Sequence, residues 1–373
     1  MMNGTNQYGM GVIVCRLNDQ TPPFQEKSYY RQLTQEGAPL GIQVIVFCPL
    51  DVDWQTRSVN GWRYNPDTGR WRTDRYPLPP LIYDRCYYSD SRQYQKYKPQ
   101  VVRLANDPTI QFLGRPLGGK LPNHEMLVKN SNLLPYLPQT LRYTSFNDIR
   151  TFLQDYNSVL IKPNGGSHGR GVAAIFPNGS EYVIRGRSPR NQPFQIRLHK
   201  EPSLQDWVNR FTNGVRYVIQ PFLQLDTRDK RPFDLRILVQ KDEHGKWATT
   251  GMAVRTGTVG SLTSNLHGGG KAERAIPFVQ EHFPHQANQI LATVHFLSKE
   301  VPLQIEREHG RLLELGLDAG IDREGQVWLL ETNSKPGRSV FLLTGEKNVR
   351  IQSVRRPILY ARSLAKGLIG GSI

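Results

Sequence analysis

The stretch "SVLIKPNGGSHGRGVAAIF", residues 158–176, constrains the fold more than any other. Two apolar, β-like runs flank a glycine-rich loop, so the segment predicts a hairpin rather than a strand that opens a helix. That excludes the dinucleotide-binding turn, and it excludes the phosphate loop that ends in Gly-Lys-Ser/Thr. Glycine has no Cβ, so its backbone N–H groups can still approach phosphates closely. Lys162, just before the loop, could direct an ammonium at the same phosphates. Alone, the segment reads equally as a plain flexible hairpin.

The remaining pattern alternates strands and helices, which predicts an α/β (α+β) chain. "MGVIVC" (10–15) and "IQVIVFC" (42–48) read as short buried strands on either side of the helix "SYYRQLTQEGAPLG". "RSVNGWRYNPDTGRWRTDRYPLPP" carries turn signals at Asn65-Pro66-Asp67 and Thr68-Gly69 and predicts a hairpin; "PLIYDRCYYS" supplies another strand. These make an N-terminal α/β unit, residues 1–120. A second unit, 121–225, holds a helix at about 123–134, a helix in "TSFNDIRTFLQDY" capped by Thr144 or Ser145, the glycine hairpin, the helix "SLQDWVNRFTN" and the strand "RYVIQPFLQL". The third, 226–373, contains the hairpin "PFDLRILVQKDEHGKWATTGMAVRTG" and a long helix at 286–308. It continues with two strands joined at Asp322 to Gly325 and a closing helix at 349–367.

Composition narrows the functional classes. No apolar run reaches the roughly 18–20 residues a membrane helix needs, and the N-terminus lacks the pattern of a secretory signal. A cytoplasmic location is expected. Cys15, Cys48 and Cys86 have no short pairing and read as small buried hydrophobes. His282, His285 and His295 are not spaced to make a metal face on one helix. The net charge of +16 favours anionic partners, and "RGRSPRNQPFQIRLHK" (185–200) holds no acid. That segment reads equally as a solvated hairpin, and the chain's aromatics do not interleave with one basic stripe, so nucleic acid is not the expected partner.

Three further clusters could carry chemistry. In "DLRILV", Asp234 and Arg236 share one face of a strand, and without context they read as an ion pair. In "LLETN", Glu331 and Asn333 share a face, and Asp318 in the preceding strand could meet them across the ladder. Two carboxylates and an amide oxygen suit Mg²⁺, and charges at the end of a buried strand need such a reason. "TSNLHGGG" (263–270) is by itself only a polar loop.

In this order, Lys162 with its glycine loop, "VIQPFL", "DLRILV", "MAVR", "SNLHGGG", "GLDAG" and "LLETNSKPG" together resemble the ATP-grasp superfamily. The likeness spans about residues 123–345. It is similar to the branch of the RimK-type glutamate ligases, and in its finer wording to the YheC/YheD family, described as endospore coat-associated ATP-grasp proteins. The resemblance implies an ATP-grasp fold behind a Rossmann-like N-terminal domain. It implies ATP as cofactor, with Mg²⁺ as two ions and Mn²⁺ as an alternative. Lys162 would bind ATP phosphates, with Gly165, Gly166, Ser167, Gly169 and Gly171 as a lid. Lys129 would be the first ATP-grasp lysine. Gln220, Pro221, Phe222 and Leu223 would form the hinge beside adenine, and Asp234 would approach the ribose. Ser264 and Asn265 would touch phosphate and metal. Arg236 and Arg255 would neutralise the transferred phosphoryl group. Asp318, Glu331 and Asn333 would hold metal, Glu331 bridging two ions.

Two departures bear on specificity. Pro221 stands where the ligases commonly have glutamate and offers no N–H, so Phe222 or Leu223 must donate to the adenine ring. Gly268 stands where the glutamate ligases have arginine, which removes one cation from the acceptor side. The implied activity is a carboxylate–amine (or thiol) ligase working through an acyl phosphate. Its substrates are unnamed, and the basic surplus points to acidic ones. A kinase on the same fold and a structural spore protein retaining a nucleotide site are the alternatives.

Overall fold

A computed structural model of the chain describes residues 8–166, 169–262, 264 and 270–367. Its first sheet is built from β1 (Tyr8–Ile13), β2 (Ile42–Asp53), β3 (Ser58–Asn65), β4 (Arg70–Pro77), β5 (Leu81–Asp84) and β6 (Gln111–Phe112). α1 (Lys27–Gly37) crosses between β1 and β2, which pair in parallel as the opening βαβ pattern implies. The spatial order β4-β3-β2-β1-β5-β6 adds the sequence-predicted hairpin as an antiparallel edge. α2 (Ser91–Ala105) is a helix the sequence reading lacks. Its polar surface and internal Pro99 hide the signal. Tyr97, Val101 and Leu104 nonetheless recur at helical spacing on its buried face, and Asp90 caps the start by accepting from the Gln93 N–H at 2.9 Å.

α3 (Lys120–Leu127) begins and ends earlier than the expected 123–134. Gly119 precedes it, and the Asn130 side chain, accepting from the Asn132 N–H at 3.0 Å, turns the chain soon afterwards. The second sheet then forms from β7 (Leu141–Arg142), β8 (Val159–Pro163), β9 (Val172–Asn178), β10 (Glu181–Arg187), β11 (Pro193–Leu198) and β12 (Tyr217–Pro221). α4 (Phe146–Tyr156) and α5 (Glu201–Thr212) cover one face. Ser145 and Asp148 make a capping box at the start of α4, as the sequence suggests. β8 and β9 pair antiparallel around the glycine loop, so this loop is a hairpin. The basic segment 185–200 is likewise part of the β10–β11 hairpin.

The third sheet contains β13 (Phe233–Lys241), β14 (Trp247–Thr256), β15 (Lys271–Arg274), β16 (Glu314–Ile321) and β17 (Val327–Asn333), in the order β15-β14-β13-β16-β17. Leu235, Ile237 and Val239 alternate onto the face covered by α6 (Ala275–His282) and α7 (Ala287–His309). α7 meets them with Ile290, Val294, Leu297, Val301 and Ile305, one stripe of a 3.6-residue period. Leu238 points the other way, against α8 (Val340–Leu343). The closing helix α9 (Lys347–Ala365), assigned by sequence to the third unit, buries Val354, Ile358, Ala361 and Leu364 in the core of the first sheet, against Tyr29, Tyr30 and Leu33 of α1.

Buried charge fastens the first sheet to the third. Glu314 on β16 is 1 % exposed and accepts from the Tyr83 hydroxyl at 2.5 Å and from Gln240 Nε2 at 2.8 Å. It also pairs with Arg338 and, at 3.4 Å, with the fully buried Arg85. Cys15, Cys48 and Cys86 are buried free thiols. No helix among the described residues is long and apolar enough to cross a membrane. Replacing Glu314 by Gln strands the buried Arg338 guanidinium, while Arg85 keeps Glu26 at 2.8 Å, so Glu314→Gln is expected to lose about 3–5 kcal/mol of stability in urea denaturation. An unchanged midpoint would show that Arg338 finds other partners.

Candidate active site

The second and third sheets meet where β8 faces β17. Lys162 on β8 is 9 % exposed, and its ammonium donates to the Leu330 carbonyl at 3.4 Å. That carbonyl is available because β17 bulges: Asp318 opposes Glu331 and Ala319 opposes Leu329, which leaves Leu330 without a partner in the ladder. Burial, with the nearby Lys120 ammonium adding to it, pushes the Lys162 amine down to about 8; Glu331 and Asp318 pull the other way. Among the described residues, no carboxylate lies within ion-pair distance of the Lys162 ammonium.

Lys120, the first residue of α3, shares this cleft. Its ammonium lies 3.4 Å from Glu331 Oε1 and donates to the Gly166 carbonyl in the glycine loop at 3.2 Å. The helix is docked there by Asn164, whose main-chain and side-chain oxygens accept from the Lys120 and Leu121 N–H groups, both at 2.8 Å. A Cβ on Gly119 would come within 2.5 Å of the Asn164 amide, so only glycine permits this approach. Between the sheets lies a cavity of about 30 Å³ lined by Lys120, Lys162, Gln220 and Glu331, among others.

Beside it runs a row of charges across three strands. Register places Asp234 opposite Arg255 and Arg236 opposite Asp318. Arg236 binds both oxygens of Asp318, at 2.5 and 3.0 Å, and Arg255 joins Asp234 at 2.6 Å to Asp318 at 3.1 Å. Ser264 donates to the second oxygen of Asp234. Burial raises the Asp234 carboxyl against the opposing pull of Arg255. Burial also works to raise Asp318, but two guanidinium groups outweigh it and hold that carboxyl low. Two carboxylates and two guanidinium groups leave the row neutral, and they fix both arginines at the edge of the cleft.

The structure brings Lys162, Gln220, Asp318 and Glu331 together with the Asp234–Arg255–Arg236 row. Glu331 opposes Asp318, while Asn333 opposes Gly316 further along the same strand. These three donors suit a magnesium ion, which takes one or two carboxylates and completes its shell with water and phosphate oxygens. Both Asp318 oxygens are held by arginine, so Glu331 is the more available carboxylate. Gly166, Gly169 and Gly171 all adopt positive φ, between 68° and 101°, which explains why glycine stands at these loop positions. Gly165 has open space around its Cα. At the hinge, Gln220 Nε2 donates to the Thr140 hydroxyl at 2.6 Å, and Pro221 ends β12. The Phe222 ring meets Phe176 edge-on at 4.8 Å. The Phe222 N–H already donates to the Ser158 carbonyl at 3.3 Å.

Lys129 is not brought to the cleft. It is exposed, beyond the end of α3, and pairs with Glu308 at 2.6 Å. Lys120 lies in the cleft instead, and its sequence signal is "LGGK", a glycine pair before a lysine that begins a helix. Asn123 was also missed; its amide donates to the Thr332 hydroxyl at 3.1 Å, and its own oxygen is buried without a partner. Ser167 and Asn265, with His168 and Gly268, lie outside the described residues.

The profile of the YheC/D-like ATP-grasp family matches residues 109–364. The chain belongs to this family. Two curated relatives come from Bacillus subtilis (strain 168). The endospore coat-associated protein YheC is 29 % identical over 352 residues, 92 % of this chain and 95 % of its own. The endospore coat-associated protein YheD is 25 % identical over 353 residues, 93 % of this chain and 76 % of its own. The crystal structure of D-cycloserine synthetase DcsG superposes with a TM-score of 0.55 at 12 % identity, covering 94 % of this chain and all of that one. This likeness shows the fold, which is ATP-grasp behind a Rossmann-like sheet.

Lys162 generates a pH dependence of stability. Below pH 8 it is protonated in both folded and unfolded chains, and the folded protein bears the full cost of burying the charge. Between about 8 and the ordinary lysine value of 10.5 only the unfolded chain keeps the proton, so that cost disappears as pH rises. Relative to a Lys162→Met variant, the wild type is expected to gain about 3 kcal/mol between pH 7 and 10.5 in urea titrations. A constant difference would mean that the Lys162 amine titrates normally.

Proposed function

We propose that this chain is an ATP- and Mg²⁺-dependent ligase joining a carboxylate to an amine or a thiol. The observation that carries the reading is the convergence of Lys120 and Lys162 on the Glu331 side of a cleft whose other edge is the Asp234–Arg255–Arg236–Asp318 row. Cations gathered from two sheets around an acidic strand end suit the charge of a triphosphate. Lys162 and Lys120 would bind phosphate oxygens, and the glycine hairpin that carries the Gly166 carbonyl would fold over them. Gln220 to Leu223 would receive adenine, with Leu223 donating to its ring. Asp318, Glu331 and Asn333 would hold Mg²⁺, which when bound would neutralise phosphate charge.

A substrate carboxylate oxygen would form a bond to the γ-phosphorus while the bond to the ADP oxygen breaks, giving an acyl phosphate. Arg236 and Arg255 would stabilise the negative charge spread over the transferred group. An amine nitrogen or thiolate sulfur would then attack the acyl carbon and expel inorganic phosphate, which with an amine also takes up the surplus proton. No side chain of the protein has to act as a nucleophile. The names of both curated relatives refer to the endospore coat, and the same association is proposed for this chain.

Each charged hydrogen bond to phosphate is worth about 1.5–3 kcal/mol, more than tenfold in affinity. Lys120→Met and Lys162→Met are therefore each expected to weaken binding of a non-hydrolysable ATP analogue with Mg²⁺ at least about tenfold by calorimetry, and Lys129→Met to leave it unchanged. Glu331→Gln is expected to lower carboxylate-dependent phosphate release about 100-fold or more. A wild-type protein that binds the analogue yet releases no phosphate with any carboxylate and amine or thiol pair would end the ligase reading.

A further inference from the structure

The first sheet carries a second cavity, of about 360 Å³, which shares no lining residue with the cleft at Lys162. It lies past the carboxyl end of β1 and along the neighbouring β2, the edge where open α/β sheets receive ligands. Its volume is that of a small-molecule pocket. Phe24, Phe47 and Trp62 give it apolar walls. Cys48 adds a thiol that burial pushes up to about 11, so it is a neutral part of the wall at physiological pH.

Two opposite charges line the same cavity. An Arg16 guanidinium nitrogen, Nη2, pairs with Asp51 Oδ1. Among the described residues, the other guanidinium N–H groups of Arg16 and the Oδ2 oxygen of Asp51 have no protein partner. The site therefore offers free donors on a cation directly beside a free acceptor on an anion. A ligand with adjacent charges of opposite sign meets both with charge-assisted hydrogen bonds, and the neighbouring aromatic walls suit an apolar group next to those charges.

We propose that this cavity binds a free α-amino acid with an apolar side chain, its carboxylate on Arg16, its ammonium on Asp51 and its side chain among Phe24, Phe47 and Trp62. The proposal rests on the cavity and not on the ligase reading. Arg16 is 46 % exposed, so its pair with Asp51 adds little to stability, and substitutions there are expected to leave the protein folded.

Calorimetry on the full chain without nucleotide tests it, with L-phenylalanine, D-phenylalanine, L-leucine and D-leucine as probes, and N-acetyl-L-phenylalanine and L-phenylalaninamide as blocked forms. At least one free amino acid is expected to bind, and blocking either charge is expected to weaken phenylalanine at least about tenfold. Arg16→Gln and Asp51→Asn should each cause a loss of the same order, whereas Lys162→Met should cause none. Thermal melts of the two variants check that they are folded. The proposal is overturned if none of the four free amino acids binds at millimolar concentration, if the blocked forms bind as well as the free one, or if folded Arg16→Gln and Asp51→Asn proteins bind undiminished. Equal loss in Lys162→Met would also overturn it, because the ligand would then sit in the other cleft.

Discussion

A single buried carboxylate, Glu314, ties the architecture together. It is the first residue of β16, the strand that carries Asp318 to the cleft four positions later. Its partners come from β5, from β13 and from the segment just after β17, so one side chain joins the first sheet to the third. Such a group is costly to bury and is tolerated only because each oxygen is satisfied. The result is directional. Tyr83, Gln240 and Arg338 can all be satisfied in only one relative placement of their strands. That placement also sets Lys335 against Asp84 and the Cys86 carbonyl, at 2.8 and 2.7 Å. The acidic end of β17 is thereby held from behind as well as from its own ladder.

The cleft shows the opposite condition. There, positive charge is gathered with less compensation than it needs. Lys162 is buried, with another lysine nearby, and burial first and that lysine second depress its amine. Neighbouring arginines are neutralised by carboxylates, which keeps them rigid without making the row acidic or basic. A protein that satisfies every charge at Glu314 and leaves Lys162 short of counter-charge has placed its electrostatic deficit where an anion can enter.

Much of this was legible in the sequence because it depends on local spacing. Period-two alternation put Asp234 with Arg236 and Glu331 with Asn333, and the strand–loop–strand setting of the glycines already excluded two other phosphate loops. Lys120 was harder to see. Its role depends on Gly119 fitting against Asn164, a contact across 45 positions that no local pattern announces. Lys129, two residues beyond the end of the same helix, is as suitable by composition and is turned outward. α2 is hard to read because Pro99 sits inside it and only Tyr97, Val101 and Leu104 mark its buried face. The pairing of Arg16 with Asp51 lies equally beyond sequence reading, since it depends on how far β2 runs past β1.

The packing of α9 has a consequence for how the chain is made. Tyr29, Tyr30 and Leu33 emerge from the ribosome more than three hundred residues before Val354, Ile358 and Ala361, which cover them. The sheet that is translated first therefore keeps an open apolar face while the other two sheets are assembled. It closes only after some three hundred further residues have been added. The order of synthesis and the order of completion are reversed, and the last helix acts as the clasp.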